Sequence, residues 1–258
     1  MSNTSAALSL VANRLRATGS LFAEDEARLL VSAARTRAEL ESMLDERAAG
    51  VPIEHVVGWA EFCGLRIAVE PGVFVPRPRT RFLVRQAASL VRPGAVVVDL
   101  CTGAGAVAAA IEAAADVGEL YATDVDAVAV RCAGRNIGVD RVFQGDLFEP
   151  LPESIQGMID IAVANVPYVP SGELERLPRE ARLHEPRHAL DGGADGLDVV
   201  RRAAAEARGW LASGSHLLVE TSERQAPTAA EIFAGSGLRP SIARSDDLDA
   251  TVVVGAVP

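Results

Sequence analysis

The chain has 258 residues, of which 49% are hydrophobic, and this length can bury a sizeable core in one large domain with a small addition. Its formal net charge of −10 argues against a broad electrostatic grip on nucleic acid or on an anionic membrane. We therefore expect small molecules or proteins as partners, with no direct nucleic-acid binding and no membrane.

The three cysteines, Cys63, Cys101 and Cys132, show no CxxC spacing, so the sequence indicates neither a disulfide framework nor a metal site. The start of the chain lacks a basic segment followed by an apolar one, and no apolar run approaches roughly 18 residues. From these features we expect a cytoplasmic protein.

Apolar side chains recur at helical spacing between residues 5 and 48, and glycine turns at Gly19 and Gly50 divide and close this segment. The pattern predicts a small helical domain over residues 1–50. One interpretation is a cap that only packs against a sheet edge. The other is a unit that recognises a substrate.

The next segment, residues 51–80, is predicted to connect the helical unit to the main domain. It contains two short strands, around 61 to 65 and 66 to 69. The alternating prolines of Phe74-Val75-Pro76-Arg77-Pro78 force an extended backbone, and Thr80 can cap the helix that follows.

Residues 81–258 alternate apolar strands with helical segments, which predicts a parallel sheet with helices on both faces. The first five strands are expected at 95 to 100, 118 to 123, 141 to 143, 159 to 164 and 215 to 220. Two further strands, 239 to 245 and 250 to 256, should pair antiparallel at one edge. The predicted fold class is α/β: a Rossmann-like, seven-stranded, mostly parallel sheet with an antiparallel edge hairpin and a small helical domain.

A glycine-rich loop follows the first strand, in the run Asp99-Leu100-Cys101-Thr102-Gly103-Ala104-Gly105, and leads into a helix. Glycines let the backbone approach a ligand closely, and the helix N-terminus offers unpaired N–H groups. Two cofactors fit the loop: a dinucleotide, and S-adenosylmethionine, which Asp99 also suits. Both interpretations use Asp124, at the end of the second strand, for ribose hydroxyls.

A weaker cofactor signal follows the third strand, at Gln144-Gly145-Asp146-Leu147-Phe148. Asp146 can accept a hydrogen bond from the exocyclic amine of adenine, and Leu147 can cover the ring. An ordinary turn would have the same residues, so this segment alone does not choose between the cofactors.

The most informative segment is Asn165-Val166-Pro167-Tyr168, directly after the fourth strand. The Asn165 side-chain oxygen and the Val166 carbonyl can each accept one N–H of a planar amide or amine, and both gain strength as positive charge grows on that nitrogen. Pro167 restricts the backbone, and Tyr168 offers a flat face. These four residues, the clamp, favour an N-methyltransferase, whereas a dehydrogenase gives no reason for them.

Together these motifs resemble the HemK-type protein-glutamine N-methyltransferases, which modify glutamines in release factors and, in a sister branch, a ribosomal protein. The resemblance covers residues 50 to 256. It rests on Gly50 to His55 with Gly58, Glu61-Phe62, Phe74 to Pro78, Asp99 to Gly105, Gly145 to Phe148, Asn165 to Tyr168, Glu185-Pro186, Ala189-Leu190, Gly193 to Asp198, and Glu220 with Gln225.

The resemblance implies a class I methyltransferase fold, S-adenosyl-L-methionine as cofactor and S-adenosyl-L-homocysteine as product. It implies that Thr102 to Gly105, Asp124, Leu147 and Asn165 line the cofactor, and that Asn165 to Tyr168 hold the glutamine. Phe74 resembles the family's aromatic residue on the substrate face. The implied partner is a translation factor or ribosomal protein, which the helical domain would grip.

The chain also departs from this family. Val166 stands where a proline is usual, and it preserves the chemistry because the clamp uses its backbone carbonyl. Cys101 replaces the first glycine, so we expect either a negative φ there or a slightly reshaped loop. Arg79 and Arg81 replace acidic residues, and the helical unit is shorter than usual, so these differences bear on the choice of substrate.

The sequence thus predicts an S-adenosylmethionine-dependent methyltransferase acting on a glutamine side chain in a protein. One alternative is an N-methyltransferase of a small molecule or nucleic-acid base, since the clamp accepts any planar NH₂ group. Another is a cofactor-binding regulator without turnover, which the changes at Cys101, Arg79 and Arg81 would allow.

Overall fold

The computed structural model describes residues 2–258. Its helices are α1 (Ser2–Ala17), α2 (Ala23–Ala33), α3 (Arg37–Ala48), α4 (Ile53–Val57), α5 (Arg81–Leu90), α6 (Ala106–Ala114), α7 (Ala127–Ile137), α8 (Arg179–His184), α9 (Asp198–Trp210) and α10 (Ala226–Gly235). Its strands are β1 (Trp59–Phe62), β2 (Leu65–Ala68), β3 (Ala95–Leu100), β4 (Val117–Asp124), β5 (Val142–Gln144), β6 (Ile159–Ala164), β7 (Leu211–Thr221), β8 (Arg239–Ser245) and β9 (Ala250–Ala256). Within residues 2–258, no helix is long and apolar enough to cross a membrane.

The main sheet has seven strands in the order β5-β4-β3-β6-β7-β9-β8. Neighbouring strands from β5 to β7 run parallel, whereas β9 runs antiparallel to both β7 and β8. The predicted fold class is confirmed, and the predicted bounds of the edge hairpin coincide with β8 and β9.

The core lies on both faces of this sheet. All six residues of β3 are buried, as expected for a strand covered by helices on either side. Val97 joins the apolar cluster beneath α5, α6 and α7, and the next residue, Val98, joins the cluster beneath α9 and α10.

The order of the strands reverses at β3, because the chain continues to β4 and β5 on one side and then to β6 and β7 on the other. At such a point a crevice opens at the carboxyl ends of the strands. In this chain those ends carry the glycine loop after β3, Asp124 at the end of β4, and Asn165 directly after β6.

The small hairpin differs from the prediction. Its strands are β1 and β2, so the turn falls at Cys63-Gly64 and not at the predicted break between residues 65 and 66. Both turn residues have positive φ, 53° and 80°, which is the backbone that a tight two-residue hairpin requires. Gly64 supplied the turn signal that the sequence interpretation missed.

The helical unit at the start of the chain has an apolar cluster of its own, formed by side chains of α1, α2 and α3. Arg47 in α3 joins this unit to α8 of the main domain. Its guanidinium donates to Glu26 at 2.9 and 3.1 Å, to the Val51 carbonyl at 3.1 Å and to Glu180 at 2.5 Å. Burial opposes the charge, but the two carboxylates raise the pKa of Arg47 above its usual value.

Replacing Arg47 by alanine should lower the free energy of unfolding by about 3–5 kcal/mol, because it leaves the buried carboxylate of Glu26 without its partner. Urea denaturation followed by circular dichroism measures this loss. The matched control is Arg14→Ala, whose ion pairs with Glu41 and Asp45 are exposed and should contribute less than about 1 kcal/mol. Equal losses in the two variants would contradict the role given to Arg47.

Candidate active site

A cleft of about 1290 Å³ opens at the carboxyl ends of β3, β4 and β6. Its walls include most of the residues predicted to bind cofactor or substrate: Phe74, Asp99, Thr102, Gly103, Ala104, Asp124, Asp146, Asn165, Val166, Pro167 and Tyr168. Gly105 and Leu147 do not line it, although both adjoin residues that do. The fold therefore brings five separate segments of the sequence to one place.

The glycine loop curls tightly because Gly103 and Gly105 both have positive φ, 56° and 77°. Gly105 also allows α6 to pack closely on α7, since a Cβ there would lie 3.2 Å from the backbone of Ala133. The Gly103 N–H donates to Asp124 at 2.9 Å, which ties the loop to the end of β4.

Cys101 has a φ of 55°, so of the two alternatives expected at this position, a negative φ or a reshaped loop, the negative φ is wrong. The loop keeps the left-handed backbone that a glycine would adopt, at a cost of roughly 1–2 kcal/mol for a residue with a Cβ. Burial and the nearby carboxylates raise the pKa of the Cys101 thiol well above its usual value. The thiol therefore stays protonated, and Cys101 forms part of the wall of the cleft.

Asp99 braces the loop from behind. Its side chain is almost fully buried, and its Oδ2 accepts hydrogen bonds from the Thr102 hydroxyl at 2.6 Å and from the Ala108 N–H at 3.2 Å. Burial raises the pKa of Asp99 to about 7, against the effect of those two donors. Asp99 thus fixes both the loop and the first turn of α6, which has no other side-chain cap.

Asp124 already accepts one backbone N–H on each carboxylate oxygen, from Gly103 and from Asp126, both at 2.9 Å. Burial raises its pKa, and the two backbone donors act in the opposite direction. A carboxylate has about four acceptor positions, so two remain for a ligand. The neighbouring Asp126 is 3.3 Å from His188, which reaches over from the segment after α8.

Asp146 lies in the far wall of the cleft, and Leu147 follows it behind that wall. Asp146 is paired with Arg202 of α9, a cleft residue that the sequence interpretation did not single out. Leu147 has a φ of 48° and is buried in the apolar cluster beneath α9. The carboxylate of Asp146 is therefore held in place, with acceptor capacity left for an amine.

The clamp follows β6 without a gap. Val166 is 2% exposed, and its side chain packs in the apolar core, so its contribution to the cleft is its backbone. Asn165 donates through Nδ2 to the Thr80 hydroxyl at 3.4 Å. Burial raises the pKa of Tyr168 to about 12, so its hydroxyl stays protonated at neutral pH.

The loop between α8 and α9 supports the clamp from behind. A Cβ on Gly192 would lie 2.5 Å from the Pro167 carbonyl oxygen, and one on Gly196 would lie 2.2 Å from that of Tyr168. Gln225 donates through Nε2 to the Tyr168 carbonyl at 2.9 Å and to the Asp195 carbonyl at 2.8 Å. Only glycine fits at the two contact points, and the clamp backbone is thereby fixed.

The Pro-Arg-Pro segment is fixed by Glu185, a buried acid at the end of α8. Arg77 donates to both of its carboxylate oxygens, at 2.5 and 2.6 Å, and the Val75 N–H donates at 3.2 Å. The Arg77 guanidinium also lies 4.8 Å from the centre of the Phe74 ring. Phe74 is thus held at the cleft by a contact that spans more than a hundred residues of sequence.

The two unusual arginines have different surroundings. Arg79 lines the cleft, donates to the Tyr168 hydroxyl and lies 3.4 Å from Glu220. Arg81 pairs with Glu61 of β1 at 3.0 Å and does not line the cleft. Of the two arginines, only Arg79 therefore contacts the site.

The known proteins that this chain is similar to include methyltransferases of two substrate classes. The chain is 39% identical over 192 residues to a release factor glutamine methyltransferase of Gloeobacter violaceus, with 71% of this chain and 66% of the relative covered. It is 36% identical over 222 residues to one of Geobacter sulfurreducens, with 84% and 77% covered. A 4-amino-L-phenylalanine/4-methylamino-L-phenylalanine methyltransferase of Streptomyces pristinaespiralis is 36% identical over 195 residues, with 72% and 66% covered.

Two further comparisons concern the fold. Residues 76–170 match the family model described as ribosomal protein L11 methyltransferase. A crystal structure of a methyltransferase from Pyrococcus furiosus superimposes with a TM-score of 0.55 at 19% identity, over 74% of this chain and 88% of that one. At this identity, the similarity to the Pyrococcus furiosus structure supports the fold alone.

The cofactor interpretation predicts that Asp124→Ala weakens binding of S-adenosylhomocysteine roughly 10- to 100-fold, the value of a hydrogen bond to a charged acceptor. Isothermal titration calorimetry measures this, with the exposed Asp140→Ala as the matched control. Unchanged affinity in the Asp124 variant, or tight binding of NAD in its place, would contradict the interpretation.

Asp99 should make stability depend on pH. Its pKa is about 7 in the folded chain against 3.8 for the free group, so the folded state binds more protons between these values. The free energy of unfolding should therefore fall as pH rises from about 4 to 7, and Asp99→Asn should flatten part of that fall. Urea denaturation at several pH values across this range measures the free energy of unfolding and so tests the prediction. A slope as steep in Asp99→Asn as in Asp140→Asn would refute it.

Proposed function

Because this chain belongs to the family of release factor glutamine methyltransferases, we propose that it methylates the side-chain amide nitrogen of a glutamine in a release factor. The cofactor of this methyltransferase is S-adenosyl-L-methionine, and S-adenosyl-L-homocysteine is the product. A substrate that works in translation also favours the cytoplasm as the place of the reaction.

The residues at the cleft fit the cofactor. The positive φ of Gly103 and Gly105 curls the loop, and α6 begins without a side-chain cap other than the bond from Asp99, so its first N–H groups are available to a carboxylate. Asp124 offers acceptors for ribose hydroxyls, and Asp146 offers one for an amine. The bound cofactor would supply a methyl group on a sulfonium, ready for in-line transfer.

The observation that carries the proposal is the position of the clamp, at the carboxyl end of β6 beside the glycine loop. An amide nitrogen is a poor nucleophile because its lone pair is delocalised. Asn165 Oδ1 and the Val166 carbonyl would accept its two N–H groups and gain strength as positive charge develops on nitrogen. The methyl group would pass from the sulfonium to the nitrogen, with the S–C bond breaking as the N–C bond forms. The alkylated amide is then strongly acidic and loses one N–H proton to solvent, so no strong general base is needed.

The rim of the cleft favours a protein as substrate. The cleft, at about 1290 Å³, has room for a cofactor and an acceptor side chain together. Its rim reaches the turn between α1 and α2, where Leu21 is 91% and Phe22 is 69% exposed. We propose that this turn contacts the protein that carries the glutamine, which gives the helical domain its role in recognition.

A second candidate is transfer to a free aromatic amine, since one relative is named for 4-amino-L-phenylalanine. An amino acid of that kind needs a cation for its carboxylate. The Arg79 guanidinium lies 5.6 Å from the centre of the Tyr168 ring, but it already contacts the Tyr168 hydroxyl and a buried carboxylate. The protein substrate is therefore the better supported of the two.

The test is transfer of labelled methyl from S-adenosylmethionine to purified release factors and to a lysate from a strain that lacks this protein. We expect one labelled release-factor band, with the label mapped to a glutamine by mass spectrometry. Free 4-amino-L-phenylalanine should accept little or no label. Label on a small molecule only would favour the second candidate, and no label anywhere would favour a regulator without turnover.

Asn165→Ala should lower turnover by roughly 10- to 1,000-fold, because it removes one acceptor of the transition state, while affinity for S-adenosylhomocysteine changes less. The matched control is the exposed Asn13→Ala, which should keep the wild-type rate. Undiminished turnover in the Asn165 variant would remove Asn165 from the reaction.

A further inference from the structure

The clamp works only if the Asn165 amide has one orientation. Its oxygen accepts a hydrogen bond and its NH₂ group donates two, so a rotation of 180° would place donors against the N–H groups of the substrate. Something outside the clamp must therefore distinguish the two ends of this side chain.

Thr80 is the group in contact with the nitrogen end. Its side chain is 2% exposed, and its hydroxyl oxygen lies 3.4 Å from Asn165 Nδ2. Thr80 occupies the position before α5, but its hydroxyl makes no capping bond to that helix. The predicted capping role is therefore wrong, and the hydroxyl is free to face the clamp.

A hydroxyl can donate or accept, so Thr80 alone does not select an orientation. A second group must decide whether the Thr80 hydroxyl donates or accepts, and Glu220, in β7 next to β6, can do so. Its carboxylate is 2% exposed, neither oxygen has a hydrogen-bond partner among the described residues, and the Arg79 Nε lies 3.4 Å from Oε1. Burial raises the pKa of Glu220, and the Thr80 hydroxyl and Arg79 act against that rise.

An ionised carboxylate only accepts hydrogen bonds, and a buried one needs donors. We propose that the Thr80 hydroxyl donates a hydrogen bond to Glu220, so that the Thr80 lone pair faces Asn165 and holds its NH₂ group away from the substrate. Asn165 Oδ1 is then the end presented to the cleft. This inference rests on the proposed function, and it makes Thr80 and Glu220 positioning residues of the clamp.

The same carboxylate reaches the other end of the clamp through Arg79. The Arg79 guanidinium donates to the Tyr168 hydroxyl while its Nε faces Glu220. One buried acid thus orients both the amide of Asn165 and the hydroxyl of Tyr168.

The first test is kinetic. Thr80→Val should lower the rate of methyl transfer roughly three- to tenfold, the value of a neutral hydrogen bond, at unchanged affinity for S-adenosylhomocysteine. Thr80→Ser keeps the hydroxyl and should keep the rate. In an Asn165→Ala background, Thr80→Val should cost nothing further, because Thr80 acts through Asn165. An equal loss in both backgrounds, or a Val variant as fast as the Ser variant, would overturn the inference.

The Glu220→Gln variant tests whether Glu220 sets the orientation of the Thr80 hydroxyl and, through it, of the Asn165 amide. A glutamine can donate to Thr80 and so release the hydroxyl proton toward Asn165, which should also lower the rate at unchanged cofactor affinity. The matched control is Glu223→Gln, an exposed neighbour that should keep the rate. Thermal denaturation of every variant separates these effects from loss of folding. A wild-type rate in Glu220→Gln would refute the role of Glu220.

The second test does not depend on the substrate. In ¹⁵N-labelled protein, the Asn165 side-chain NH₂ signal, assigned by its absence from Asn165→Asp, should exchange with water faster in Thr80→Val and in Glu220→Gln than in Thr80→Ser. If the wild-type chain methylates no release factor, the proposed function fails while this measurement still decides the inference. Equal exchange in all variants would overturn it.

Discussion

The pairing of β3 with β4 on one side and β6 on the other is the constraint on which the site depends. In this register Leu100 lies opposite both Thr123 and Ala164. The residues that follow these three along the chain are Cys101, Asp124 and Asn165. They therefore lie side by side at the carboxyl edge of the sheet. A slip of one residue would turn the side chains of a strand to the opposite face. Asp99, the one charged residue of the otherwise apolar β3, must face the Thr102 hydroxyl and the Ala108 N–H, and this requirement favours one register. The register in turn brings the residues proposed to bind the methyl donor and the acceptor side by side.

Three buried carboxylates support the walls of the cleft. Asp99 holds the glycine loop, Glu185 holds the segment that carries Phe74, and Glu220 lies behind the clamp. Burying an acid costs stability unless donors surround it, and the raised pKa values of Asp99 and Glu220 show that the cost is only partly offset. Free energy that could stabilise the fold is thus used to fix side chains in place before a substrate binds.

The sequence predicted best what depends on local pattern. Buried strands such as β3 and β6, and the edge hairpin, follow from runs of apolar residues, and the clamp follows from four adjacent residues. The roles of Glu185 and Glu220 could not be predicted, because their partners lie more than a hundred residues away and no spacing rule connects them. The backbone of Cys101 was also beyond a local rule, since the packing around the loop imposes a φ that cysteine itself disfavours.

The departures from the family pattern lie where they leave the chemistry intact. The side chain of Val166 is in the core, so the clamp keeps the carbonyl it needs. The charge of Arg79 is offset by Glu220, and that of Arg81 by Glu61 outside the cleft, so neither adds a free cation to the site. At the rim of the cleft, the helical unit packs around its own apolar cluster and joins the main domain through Arg47. A change in its exposed turn, the proposed contact with the protein substrate, would therefore leave the clamp undisturbed.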